Sequence, residues 1–181
     1  GGVGEDALMF GDKGFNIVAT DISIEMQKVT YGKPEQFSMH SAIGSHYLDL
    51  ESFDETLFDK KFDLVFSNFG GINCINPESL KALLSKLPGI LNPGGRFVGV
   101  IMPRFCVWET VFFTLRFQFK KAFRRCTSHS VLTDTYGAKE KTWFYPPSQI
   151  KKWSREKFKL ISLGPIGTAL PPFSLNNLFD Y

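Results

Sequence analysis

The sequence predicts an α/β domain, a parallel sheet covered by helices on both faces. Two observations carry this prediction. Short apolar runs alternate with helical segments through the first hundred residues, the pattern of repeated strand-helix-strand units. The chain also opens on a glycine turn, Gly1-Gly2-Val3-Gly4, which leads through a helix to a strand ending near Asp21. Glycine lets a backbone approach a ligand closely, and the free N–H groups of the following helix face that ligand. Asp21 follows Gly4 by 17 positions, so one helix and one strand later it returns to the same sheet edge, where a carboxylate can accept both hydroxyls of a ribose. No strand precedes the glycines, although such a turn hangs from one. The expectation is a sequence that begins one strand late.

Each element follows from local signals. Glu5 to Lys13 reads as a helix with acids in its first turn and Gly14 as its stop. Phe15 to Thr20 is a buried strand, an apolar run between glycine and aspartate. Ser23 to Tyr31 is a helix capped by Ser23 and ended by Gly32-Lys33-Pro34. Ser45 to Leu48 is a short strand with Asp49 just beyond it. Phe62 to Phe66 is the clearest strand, and it runs into the turn Ser67-Asn68-Phe69-Gly70-Gly71. Pro77 to Leu87 is a helix with Asn76 as cap, and Leu91-Asn92-Pro93-Gly94-Gly95-Arg96 turns tightly into a buried strand, Phe97 to Met102. Beyond it, Phe105 to Arg125 reads as one long helix rich in Phe and Trp with a basic end. Cys126 to Lys141 reads as loop or hairpin, Thr142 to Tyr145 as a strand, Pro147 to Lys157 as a helix and Phe158 to Leu163 as a strand. An irregular segment begins at Pro171-Pro172.

Composition bounds the function. With 181 residues, 43% of them apolar, the chain suits one domain. Cys74, Cys106 and Cys126 have no paired spacing, and neither a CxxC nor a His/Cys cluster is present. Reduced thiols in a cytoplasmic protein without a metal site are the expectation. No apolar run reaches the roughly 18 residues that span a bilayer. The net charge of +3 is unevenly spread: residues 1 to 95 hold 7 Lys and Arg against 13 Asp and Glu, and residues 96 to 181 hold 14 against 5. Solvated helix faces are the ordinary explanation of such a basic half; a mouth for an acidic substrate or an anionic surface is the functional one.

Three stretches together, GGVGEDA leading to Asp21, FDLVFSNFGG and LNPGGRFVGV, resemble the class I S-adenosylmethionine-dependent methyltransferases. Gly2 and Gly4 match the second and third glycines of the family motif, and TWFYPPSQIKKW followed by FKLISLGPIG resembles the family's ending. SNFG at Ser67 to Gly70 and RFCVWE at Arg104 to Glu109 are similar to a bacterial, type 11-like branch acting on small molecules. The resemblance implies a Rossmann-like sheet of seven strands ordered 3-2-1-4-5-7-6, flanked by helices. The first and last strands are expected to lie outside this sequence, a fragment truncated at both ends. It implies a cofactor-binding core over 1–102, a helical insertion or lid over 103–141, and the rest of the same domain over 142–181.

The resemblance also implies roles. Gly2 and Gly4 pass beneath the methionine portion of S-adenosylmethionine, Asp21 takes the ribose hydroxyls, Ile22 lies against the adenine and Asp49 near its exocyclic amine. Asn68 and Phe69 line the methyl-donor pocket. A turn or capping role is the bland reading of Asp21 and of Asp49. Methyl transfer from a sulfonium needs little acid–base chemistry, so positioning and water exclusion dominate. If a base acts, His129, Glu109 and Tyr145 are the candidates, and some acceptors need none. The segment from Phe105 to Arg125 has three readings: core packing, a lid whose Phe105, Trp108 and Phe112 face a hydrophobic acceptor, or a helix in peripheral contact with a membrane surface.

Two rival classes stay open. Gly2-x-Gly4-x-x-Ala7 with Asp21 also satisfies the fingerprint of NAD(P)-dependent oxidoreductases, but no Tyr-x-x-x-Lys is present: four residues beyond Tyr31, Tyr47, Tyr136 and Tyr145 stand Glu35, Glu51, Glu140 and Gln149. A non-catalytic module that keeps the fold is the other. A small-molecule acceptor is expected and nucleic acid is not, because Asn-Pro-Pro-Tyr and Pro-Cys motifs are missing.

Overall fold

Helix α1 (Glu5–Gly11) ends where its glycine signal predicts. Phe15 N donates to Phe10 O at 3.2 Å and Gly14 N to Gly11 O at 2.8 Å, with Gly14 at φ +84°, so the helix closes in a Schellman motif that only a left-handed residue completes cheaply. The computed structural model describes residues 5–21, 43–68, 70–135 and 138–166. Gly2, Gly4, Ile22, Phe69 and the Ser23–Tyr31 helix lie outside the described residues.

From this reversal the chain enters β1 (Ile17–Asp21), which pairs in parallel with β2 (Ile43–Tyr47), Asp21 opposite Tyr47. A second parallel pair joins β3 (Phe62–Ser67) to β4 (Leu91–Gly99). The orders β2-β1 and β3-β4 are the 3-2 and 4-5 segments of the expected seven-stranded order. Among the described residues no ladder joins the two pairs, and the strands are largely half-buried or exposed rather than buried. Helix α1 spans them instead. Its Phe10 ring stands edge-on to Phe66 of β3, centroids 5.3 Å apart, and to Phe15 before β1 at 5.8 Å.

The tight turn expected at Leu91–Arg96 is a bulge inside β4. Phe62 pairs with Leu91 but Leu64 with Arg96, so residues 92 to 95 stand opposite Asp63 alone, held by Asn92 Nδ2 donating to Asp63 Oδ1 at 2.8 Å. Gly94 takes φ +81°, and a Cβ on Gly95 would lie 2.9 Å from Asn92 O and 3.1 Å from Phe62 O. Gly94 is there because its backbone is left-handed, and Gly95 because the bulge leaves no room for a side chain.

Helix α2 (Pro77–Lys86) is capped as expected, Asn76 accepting from Glu78 N and Ser79 N at 3.1 and 3.0 Å. Its Leu80, Leu83 and Leu84, continued by Leu87, form one apolar stripe that builds the core with Leu48, Phe53, Ile72, Ile75, Ile90 and Tyr145. Helix α5 (Pro147–Ser154) adds Ile150 and Trp153 to it.

The single helix expected over Phe105–Arg125 is instead a hairpin of two, α3 (Val107–Leu115) and α4 (Phe119–Ala122), broken at Phe117 with φ +57°. The polar segment after it forms an antiparallel hairpin, β5 (Val131–Thr135) with β6 (Ala138–Thr142), one of the two forms expected there. Two expected strands are absent. Residues 143–146 and 158–165 are irregular; in the first of these, Trp143 N and Tyr145 N donate to Asn73 O and Met102 O rather than to a neighbouring strand.

Candidate functional site

Residues 62 apart in sequence meet at the carboxyl end of β3. Asn68 Nδ2 donates to both carboxylate oxygens of Asp6, at 3.0 and 2.8 Å. Asp6 and Phe10 lie four apart on one face of α1, and Phe66 and Asn68 lie two apart on one face of their strand. Both contacts therefore belong to one docking of helix on strand, which sets the first turn of α1 against the end of β3. The chain then reverses at Gly14 and β1 runs back to finish at Asp21. That residue's carbonyl accepts from Leu48 N at 3.2 Å, tying the ends of β1 and β2 together.

Asp49 sits two residues past β2. Its Oδ1 accepts from Glu51 N at 2.9 Å and its Oδ2 from Ser52 Oγ at 3.2 Å, capping the short turn Leu50–Ser52. The capping role weighed in the sequence is thus present. A carboxylate offers about four acceptor positions, so two bonds do not exhaust it. A cavity of about 200 Å³ lies nearby between this turn and α2, lined by Glu51, Asp54, Ser79 and Lys86 among others; it contains none of the site residues expected from the sequence.

The three candidate bases separate. Glu109 is buried and paired with both Arg124 and Arg125, so its carboxylate holds the α3–α4 hairpin. Tyr145 is buried in the core, its hydroxyl donating to Ile75 O at 2.5 Å and its ring edge-on to Trp153. Burial, then the Glu51 charge, pushes its pKa upward against the pull of Arg104. Both groups are thus engaged inside the protein, an arrangement that disfavours their receiving an acceptor's proton. His129 is exposed in the loop before β5, where its N–H donates to Thr127 Oγ1 at 3.1 Å. Phe105 and Trp108 are exposed, and Phe112 is half-buried beneath the Arg116 guanidinium, 4.3 Å from its centroid.

Sequence reasoning missed Asp6, Asn73 and the two arginines. The sequence presents Asp6 as a dipole-favouring acid, and its i, i+4 relation to Phe10 is the available signal. Asn73 stands alone among Ile72, Cys74 and Ile75, and it is completely buried. Its Nδ2 donates to Met102 O at 3.1 Å and Trp143 O at 2.6 Å, and its Oδ1 accepts from Met102 N at 2.9 Å. The turn after Asn68 is thereby fastened to the segments after β4 and β6.

Beside it, the Cys74 thiol donates to Glu140 Oε2 at 3.6 Å, and burial, then the Glu140 carboxylate, pushes its pKa from 9.0 up to about 11. The folded state therefore keeps this proton above the pH at which the unfolded chain releases it. The contribution is intact below pH 9.0 and lost as pH rises toward about 11. Urea midpoints should fall more steeply over that window in the wild type than in Cys74→Ala. Equal slopes would remove the thiol as the cause.

The comparisons with known proteins agree with this architecture. The model of a methyltransferase domain family matches residues 1–95. Among solved structures, an S-adenosylmethionine-dependent methyltransferase from Methanosarcina mazei superposes with a TM-score of 0.63 at 13% identity, over 86% of this chain and 74% of that one. A second, from Clostridium acetobutylicum, gives 0.58 at 15% identity, over 85% and 68%. The glycopeptide N-methyltransferase MtfA in complex with S-adenosyl-L-methionine gives 0.60 at 15% identity, over 92% and 77%. At these identities the likeness is one of fold. No curated protein matches the sequence. With the family model covering more than half of the chain and its two parallel pairs in the expected order, this protein belongs to the methyltransferase domain family, with the Rossmann-like fold of the class I S-adenosylmethionine-dependent methyltransferases.

Proposed function

We propose that this chain binds S-adenosylmethionine at the carboxyl ends of β1 and β3 and directs its methyl group to a small apolar or anionic acceptor. The observation that carries the reading is the Asp6–Asn68 contact, which joins the helix following the glycine turn to the end of β3, while β1 delivers Asp21. The donor set suits the cofactor: a carboxylate for a ribose diol at Asp21, a second beyond β2 at Asp49, and a side-chain amide at Asn68. Bound there, the cofactor supplies an activated methyl on a sulfonium. By the family resemblance, Gly2 and Gly4 would hold its amino-acid portion, Ile22 the adenine, and Asn68 and Phe69 the transferred group. The chain's part is to orient the acceptor and exclude water. Of the three bases considered, His129 alone is exposed, and a thiol, amine or already acidic acceptor needs none. The excess of Lys and Arg after residue 95 supports an anionic acceptor, and the half-buried Phe112 and Phe113 of α3 support an apolar one.

Calorimetric titration with S-adenosylhomocysteine and with NAD tests the reading. Micromolar binding of the first alone is expected. In Asp21→Ala it should weaken on the order of 10- to 100-fold, the cost of losing charge-assisted hydrogen bonds to a diol. Binding of NAD instead would overturn the cofactor assignment, and unchanged affinity in Asp21→Ala would overturn the role of that carboxylate.

A further inference from the structure

The α3–α4 hairpin turns its apolar side outward. Its only acid, Glu109, is 2% exposed and held by Arg124 and Arg125. On the opposite side of α3, Val107, Val111 and Leu115, spaced four apart, are 61%, 50% and 75% exposed. The stripe continues over the tip through Phe117, 83% exposed, and on to Phe119 and Phe123. Phe117 is held in the left-handed region, which bulky residues avoid. A solvent-facing helix stripe is ordinarily polar, and contiguous apolar surface of this kind marks an interaction site.

Cations are threaded through the stripe. Arg116, Lys120 and Lys121 are exposed, and residues 104 to 125 hold six Arg and Lys against one Glu. Arg116 and Lys121 lie over the rings of Phe112 and Phe113, at 4.3 and 5.7 Å from the centroids. Because Glu109 is already paired inside, no acid on the hairpin offsets these three charges. A second copy docking symmetrically on this face would bring like charges together. A small acceptor covered by the hairpin would meet its inner side, where Glu109 lies, and not this stripe. Apolar side chains flanked by Lys and Arg match the boundary between acyl chains and anionic headgroups.

We propose that the hairpin docks on an anionic lipid surface, with Leu115, Phe117 and Phe119 entering the acyl boundary and Arg116, Lys120 and Lys121 meeting lipid phosphates. None of the described helices is long and apolar enough to cross a membrane, so the contact is peripheral. The inference stands independently of methyl transfer.

Co-sedimentation of the full chain with vesicles tests it, using phosphatidylcholine alone and phosphatidylcholine mixed with phosphatidylserine. Binding to the mixed vesicles alone is expected, weakening as salt rises. Lys120→Glu with Lys121→Glu should lower it on the order of tenfold or more, and Leu115→Ser with Phe117→Ser by a similar factor. These side chains are exposed, so unfolding midpoints should be unchanged in both variants. Absence of binding, equal binding to both vesicle types, or variants that bind as the wild type does would each overturn the proposal. So would a wild-type dimer in light scattering that Leu115→Ser with Phe117→Ser converts to a monomer, since the face would then join two copies of the chain.

Discussion

Asn73→Asp is expected to destabilise the protein by about 3 to 5 kcal/mol, the range for an uncompensated buried charge. The substitution keeps the size and shape of the side chain and leaves the bond accepted from Met102 N in place. What changes is the other end, where an oxygen replaces the amide that donates to Met102 O and Trp143 O. Ionised, the carboxyl faces two carbonyl oxygens without water. Protonated, it has one O–H for two acceptors. Burial therefore raises its pKa in the folded state, and the sign follows: the variant is least handicapped at acid pH and loses stability as pH rises through that shifted value. Urea denaturation of wild type and variant near pH 4 and pH 8 would measure both effects. A loss below about 1 kcal/mol, typical of an ordinary surface substitution, or no dependence on pH, would show that the Asn73 bonds are replaceable by water. The consequence for the site is direct. Asn73 lies five residues beyond Asn68, and its bonds hold that turn against the segments following β4 and β6.

Glu109→Ala should cost about 3 kcal/mol, and the loss should concentrate in the hairpin. Most of it comes from Arg125, which is largely buried and would be left charged without a partner. Arg124 is partly exposed, so its share is screened and small. The ion pairs join the first turn of α3 to the residues just past α4, closing a hairpin that is also linked by a weak bond from Thr110 Oγ1 to Ala122 O at 3.4 Å and by Lys121 over the Phe113 ring. Hydrogen exchange should accelerate over 107–122 more than over α2. Adding Arg125→Met should return part of the stability, because removing both charges removes the unpaired one. If the double substitution is worse than the single by the full value of a second loss, the two side chains act separately and the pairing account fails. The Glu109 result also bears on catalysis: a structural carboxylate predicts that Glu109→Gln lowers stability and methyl transfer in parallel, without a change in the pH profile.

Much of the fold was legible because its signals are local. Gly14 stops α1, Asn76 and Pro77 start α2, and the apolar runs ending at Asp21 and Ser67 are β1 and β3, all within a few residues of the positions read from the sequence. These features depend on φ preference, on caps and on side-chain periodicity, which neighbouring residues settle among themselves. Proline at position 77 and asparagine before it need no distant partner to begin a helix. The errors lie where a distant group outcompeted a local preference. Phe105 to Arg125 has the composition of one helix, yet Glu109 gains more by folding Arg124 and Arg125 back on itself than the chain loses at Phe117. Trp143 and Tyr145 have strand propensity, but their backbone N–H groups go to Asn73 and Met102, and the tyrosine ring fills the core beside Trp153.

The residues alone, then, settled the α/β alternation, the carboxyl ends at which Asp21 and Asn68 stand and the family resemblance, since these rest on short-range backbone chemistry. Tertiary structure decided which acids are free to act. Asp6 was drawn to Asn68, Glu109 and Tyr145 were taken into packing, and Asn73 became the fastening of the site's turn. Pairing partners 15 to 70 residues apart leave no trace in the sequence around either member; only the folded chain, by excluding water from between them, makes one partner worth more than another.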